Sequence, residues 1–144
     1  MTINEVQQEI IDEFAILGDD RESTIFYIME LGQKLDPLPE ADMLDDNLIK
    51  GCQSKVWLTT ELSDGNIRFH ADSNTDITKG LISLLIRVLD NRPPDEVVDA
   101  DLHFIEAIGM SNVIGSQRSN GFASMIKQMK LYALAYKSKI EMNN

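Results

Sequence analysis

A single cysteine, Cys52, stands among the 144 residues of the chain. One thiol excludes an internal disulfide, a CxxC redox pair and a zinc site built from several thiolates. A four-thiolate iron–sulfur cluster is equally excluded within one copy. No apolar run approaches the roughly 18 residues that a membrane span needs. The opening segment MTINEVQQEI lacks the charged and apolar regions of a signal peptide, so the expectation is a soluble protein of the reducing cytoplasm with no membrane partner. Positive charge is also short, with 13 Lys and Arg against 24 Asp and Glu and a net charge of -11 at pH 7. Such a surface repels phosphate backbones, which argues against nucleic acid as a partner. Internal repeats and low-complexity segments are absent.

What is present suffices for one domain spanning residues 1–144. Hydrophobic residues make up 43% of the chain, and at this length roughly 70% of the unfolded surface can be buried without help from disulfides or a structural metal. The charge is uneven: residues 1–50 carry 13 acids and 3 bases, residues 51–100 carry 8 and 5, and residues 101–144 carry 3 and 5. The acidic first third reads as a solvated face, with pairing to a basic partner as its other use.

Ile3, Val6, Ile10, Phe14 and Leu17 recur at steps of three and four, the stripe of an amphipathic helix that Gly18 ends. Asp19, three positions before Glu22, offers a capping-box start to a second helix with Ile25, Ile28, Leu31 and Leu35 on one face, stopped by Pro37 and Pro39. The short connection predicts an antiparallel helix pair. Residues 36–47 have no period and read as an extended loop. Residues 55–62 and 67–71, rich in β-branched and aromatic side chains, flank Asp64-Gly65, a hairpin turn signal. Val56, Leu58, Thr60 and Leu62 face one side of this hairpin and Trp57, expected in the core, the other. A third strand at residues 44–49 is a further expectation, since a lone hairpin is marginal.

A third helix runs from Thr75 through Ile77, Leu81, Leu84, Leu85 and Val88, with Asp76 at its favourable end, to a stop at Pro93-Pro94. Residues 94–114 hold one or two short helices broken at Gly109 and Gly115. The last long helix spans about 116–139. Its buried stripe is Phe122, Met125, Ile126, Met129, Tyr132, Ala133 and Tyr136, with Lys127, Lys130, Lys137 and Lys139 toward solvent. The order predicts an α+β domain, a small antiparallel sheet packed by helices.

Chemistry concentrates at residues 48–57, LIKGCQSKVW. Gly51 lets the backbone bend and another molecule approach the sulfur. Lys50 and Lys55 flank Cys52 with positive charge, which favours thiolate, the nucleophilic form. The bland reading, a small buried hydrophobe, sits poorly with neighbours such as Gly51, Gln53 and Ser54 at a loop boundary.

Gly51-Cys52-Gln53-Ser54 followed by Val56-Trp57 resembles the SufE family of sulfur acceptors, which take persulfide sulfur from cysteine desulfurases. Ala71-Asp72-Ser73 running into Ile77, then Lys79-Gly80-Leu81-Ile82, resembles that family's segment after the hairpin. Arg118-Ser119-Asn120-Gly121 resembles its Arg-containing start of the last helix, although Ser116-Gln117 stands where members often have Pro-Ser. The resemblance implies the fold shared with iron–sulfur scaffold proteins of the IscU type. It also implies a role as carrier of sulfur on Cys52, which a single thiol can perform by the displacement chemistry of thiol–disulfide exchange. The implied partners are a SufS-type cysteine desulfurase, itself carrying pyridoxal phosphate, and a downstream iron–sulfur scaffold complex. No cofactor or metal is expected on this chain. The Cys52 loop is expected to lie against the protein and swing out, with Gly51 as hinge and slack from residues 36–47.

Around that centre, Arg118 near a positive helix end is expected to meet either an anion or backbone partner close to the loop, or an acid in a salt bridge. Asp72 and Ser73 have a bland role in ending the strand and capping the third helix. Two other functions are weighed: a Cys-His hydrolase using His70 or His103 to activate Cys52, and an adaptor that binds a desulfurase without accepting sulfur.

Overall fold

Thr2 and Glu5 cap each other's backbone at the start of helix α1 (Ile3–Ala15), the reciprocal arrangement of a capping box. The computed structural model describes residues 1–143. The chain continues as α2 (Arg21–Gln33), short turns at Glu40–Asp42 and Asp45–Asn47, strands β1 (Val56–Ser63) and β2 (Asn66–Ser73), α3 (Asp76–Leu89), α4 (Pro94–Asp99), α5 (Phe104–Ile108) and α6 (Met110–Met142). This is the expected α+β architecture, a two-stranded antiparallel sheet packed by helices. Asp64 and Gly65 both take positive φ, 53° and 83°, between the paired residues Ser63 and Asn66. That makes the tight two-residue turn the Asp-Gly signal predicts.

The hydrophobic core is centred on α3, whose Leu81, Ile82, Leu84, Leu85, Val88 and Leu89 are all buried. It lies between β2, α2 and α6. Two glycines decide how α2 sits. A Cβ on Gly80 would stand 1.9 Å from the Ile28 carbonyl oxygen, and one on Gly32 would stand 2.3 Å from the Asp76 carbonyl oxygen. The α2 and α3 backbones therefore touch, closer than any side chain would permit. Arg87 of α3 fastens α1 to this pair. It donates to both oxygens of Glu13, at 2.7 and 2.8 Å, and to Glu9, while Tyr27 of α2 donates to Glu13 at 3.1 Å. The paired guanidinium holds the Glu13 carboxyl below its ordinary range. Gln7, fully buried, accepts from the Phe104 N–H and donates to the Asp101 carbonyl, tying α1 to the start of α5.

Several local expectations are corrected. Asp20, not Asp19, caps α2, accepting from Glu22 and Ser23 N–H, because Asp20 takes the extended backbone a cap requires. The α1–α2 pair is not a tight antiparallel hairpin. The two helices meet through the edge-to-face contact of Phe14 and Tyr27, but α2 packs chiefly on α3 and α1 on α5, where the glycine contact and the buried Gln7 draw them. α3 stops at Leu89, ahead of Pro93-Pro94. Asp90 leaves the helix to accept from the Phe69 N–H and Arg68 of β2, and Asn91 turns at φ 60°. Pro94 instead starts α4. The third strand shrinks to one bridge, Leu48 to Trp57, since the turn at Asp45–Asn47 and the bend at Gly51 leave no room for more. Trp57 is half-buried and outside the core cluster. Lys130 bends back to the Val98 and Ala100 carbonyls at the end of α4. The break at Gly115, φ 82° and ψ 173°, is as expected, but the helical segment before it, from Met110, is continuous with α6.

Gly80→Ala is expected to cost about 3 kcal/mol, the upper part of the overpacking range, because the added methyl meets backbone and not a movable side chain. A urea unfolding midpoint equal to wild type would show that α2 and α3 separate without penalty.

Candidate functional site

The loop between Ile49 and Val56 is pinned at both ends. The Ile49 N–H donates to the Val56 carbonyl at 2.8 Å, the Lys55 N–H donates to Asn74 Oδ1 at 3.0 Å, and Ser73 Oγ donates to the Lys55 carbonyl at 2.7 Å. Between these anchors Gly51 takes φ +95°, and a Cβ there would stand 2.5 Å from Ser124 Oγ of α6. The glycine thus satisfies both a left-handed backbone and a close approach to the helix.

Cys52 is half-buried against α6, where its thiol donates to the Gly121 carbonyl at 3.4 Å. A Cβ on Gly121 would lie 3.5 Å from the sulfur. Ser54 Oγ meets Thr75 Oγ1 at 3.0 Å, and Thr75 in turn donates to Thr78 at 2.8 Å. These are the side-chain contacts that dock the loop tip, and each is a neutral hydrogen bond worth roughly 1 kcal/mol. Lys50, Gly51, Gln53 and Lys55 are exposed.

Cys52 opens onto a cleft of about 560 Å³ walled by α2, the start of α3 and the upper part of α6. Gln53, Ser54, Arg118 and Gly121 share this lining, as do Arg21 and Met125. The structure therefore brings the candidate residues Cys52, Gln53, Ser54 and Arg118 to one cavity. Gly51 stands behind them as the bend. Arg118 is exposed and forms no salt bridge among the described residues, so the ion-pair reading of its role fails.

The thiolate expectation is also corrected. Burial pushes the Cys52 thiol above its ordinary pKa of 9.0, and neither Lys50 nor Lys55 contributes to the shift. Both lysines are exposed and neither lines the cleft. The docked form is a neutral thiol.

Asp72 is buried, accepting from the Leu38 N–H at 3.1 Å and the Ser73 N–H at 2.8 Å with Lys79 at 3.6 Å. It fixes the segment after α2 to the end of β2. Ser73 serves the loop anchor, and its Oγ also accepts from the Thr75 N–H at 3.4 Å. Neither histidine reaches the cleft. His70 faces Glu61 at 3.2 Å on the exposed side of the hairpin, and His103 precedes α5. The Cys-His hydrolase reading loses its base. Among the described residues no three His, Cys, Asp or Glu side chains cluster as metal ligands, and no helix is long and apolar enough to cross a membrane.

A family profile described as "SufE: Fe-S metabolism associated domain" matches residues 8–133. The chain belongs to the SufE family. A SufE-like protein of Synechocystis is 37% identical over 105 residues, which is 73% of this chain and 66% of that protein. SufE-like proteins of Rhizobium meliloti and Rhizobium etli are 34% and 35% identical over 127 residues, 85% of this chain and 90% and 85% of theirs. A hypothetical protein from Thermus thermophilus, solved in solution, shares the fold with a TM-score of 0.75 at 16% identity, covering 92% of this chain and 96% of that one. The SufE domain places the chain in iron–sulfur metabolism.

Sequence reasoning missed Arg21, Thr75, Thr78 and Ser124, and it gave Gly121 no role of its own. Arg21 lies 31 positions before Cys52, and no spacing rule links a helix start to a distant loop.

Alkylation of Cys52 in the native protein is expected to show a pH midpoint above 9, and unfolded protein the ordinary value. Since the fold favours the neutral thiol, its contribution to stability is present below the unfolded pKa and lost as pH rises through the native one. A native midpoint at or below the unfolded value would mean that the thiol is not sheltered as described.

Proposed function

We propose that this SufE-family protein accepts persulfide sulfur from a SufS-type cysteine desulfurase onto Cys52 and passes it on to an iron–sulfur scaffold complex. The observation that carries the reading is the placement of the one thiol at the tip of a doubly anchored loop, beside a cleft with room for added sulfur. Family membership supports it, and the missing histidine base speaks against the hydrolase.

The transfer balances without an external oxidant. The Cys52 thiolate attacks the outer sulfur of the desulfurase persulfide, a new S–S bond forms on Cys52, and the bond to the desulfurase sulfur breaks, leaving that sulfur as thiolate. Attack needs the deprotonated form, which the docked loop disfavours. Swinging the loop about Gly51 hydrates the thiol, removes the cause of its raised pKa and gives the donor access. The chain offers no second cysteine to displace the stored sulfur. The pyridoxal phosphate that releases sulfur from cysteine belongs to the desulfurase.

Incubation with desulfurase and cysteine should add one sulfur atom to the peptide containing Cys52, read by mass spectrometry. Cys52→Ser should still bind the desulfurase yet no longer enhance sulfur release from cysteine. Retained enhancement would make the protein a non-accepting adaptor. Arg118→Ala should slow transfer several-fold with an unchanged melting temperature, since the residue is exposed at the cleft and unpaired. Unchanged transfer kinetics would remove Arg118 from the site.

A further inference from the structure

Two guanidinium groups from different elements line the Cys52 cleft, Arg21 from the first turn of α2 and Arg118 from α6 just after the Gly115 break. Of the other three arginines, Arg68 pairs with Asp90, Arg87 pairs with Glu9 and Glu13, and Arg92, outside the cleft lining, has no carboxylate partner among the described residues. Arg21 and Arg118 have no carboxylate partner among the described residues, in a chain with 24 acids. Arg21 is nonetheless held. Its Nε donates to the Val113 carbonyl at 3.0 Å, which steadies the side chain and leaves both terminal nitrogens uncommitted. The single acid lining the cleft is Asp76, which accepts from Gln33 at 3.4 Å. The cleft is thus locally cationic although the whole chain carries -11.

The resting thiol has no use for this charge, being neutral and bonded to Gly121. A persulfide differs. Its terminal S–H is a stronger acid than the thiol it replaces, and one further S–S bond carries that atom beyond Cys52 Sγ, into the cleft. An anion in a half-buried position needs a counter-charge. Guanidinium suits a diffuse sulfur anion, since it is weakly hydrated and presents several donors in one plane.

We propose that Arg21, together with Arg118, holds the terminal sulfur of the Cys52 persulfide as an anion while the loop is docked. Arg21 is the steadied member and acts as a positioning residue for the loaded state alone. The proposal rests on Cys52 as the sulfur-bearing residue and adds the means by which the cargo is kept.

The test loads sulfur without a desulfurase, so that it stands apart from partner identity. A small alkyl persulfide gives its outer sulfur to the Cys52 thiolate and leaves as thiol, and the protein with one added sulfur is selected by mass. The near-ultraviolet absorbance of the persulfide anion is then titrated against pH. Arg21→Gln and Arg118→Gln should each raise the midpoint by about half a unit or more, roughly a threefold fall in the ionisation constant. Arg21→Lys should restore part of the shift, and the midpoint of the unloaded thiol should stay put. Equal persulfide midpoints in wild type and both Gln variants would overturn the proposal. Weakened desulfurase binding with an unmoved midpoint would also overturn it, assigning the pair to docking against partner carboxylates.

Discussion

The contact of α2 with α3 through Gly32 and Gly80 governs the rest of the structure. Both helices wall the Cys52 cleft, and α3 also carries the hydroxyls of Thr75 and Thr78 at the docked loop. With any side chain at either glycine the two backbones could not approach this closely, and both helices contribute to the cleft that Arg21 and Arg118 line. Packing in the core thereby fixes the electrostatics at the surface, because charge placement inherits the precision of the backbone contact beneath it.

A second constraint shapes the loop. In the proposed role the thiol must be sheltered between encounters and exposed during them, two demands that one rigid position cannot meet. The chain resolves this by anchoring the loop firmly at its ends, through Ile49–Val56 and through Lys55 with Ser73 and Asn74, and weakly at its tip. The tip contacts are neutral and few, while the anchors include backbone pairing continuous with the hairpin. Release of the tip would involve about five residues, 50–54, with the anchors left in place.

Much of this was legible in the residues. The helical stripe of Val6, Ile10 and Phe14, the Asp64-Gly65 turn and the break at Gly115 follow from local rules that tertiary structure did not overrule. The Gly51-Cys52-Gln53-Ser54 segment pointed to the site because loop chemistry is written in consecutive residues. What was hidden depends on distant neighbours. Pro93-Pro94 is the local stop signal for α3, but Asp90 leaves the helix earlier to accept from the Phe69 N–H of β2. The lysines beside Cys52 in sequence do not set its acidity, because proximity along the chain is not proximity of charge, and burial against Gly121 prevails. Arg21 reaches the site through the fold alone.

The shallow latch on Cys52 also bears on oxidative damage. Two neutral contacts of roughly 1 kcal/mol each, Cys52 to Gly121 and Ser54 to Thr75, hold the docked loop tip. Peroxide oxidises the thiolate, so the burial that raises the Cys52 pKa also slows formation of sulfenic acid in the docked form. The single cysteine leaves no internal thiol able to rescue such a lesion, so burial of the thiol is the defence this chain possesses.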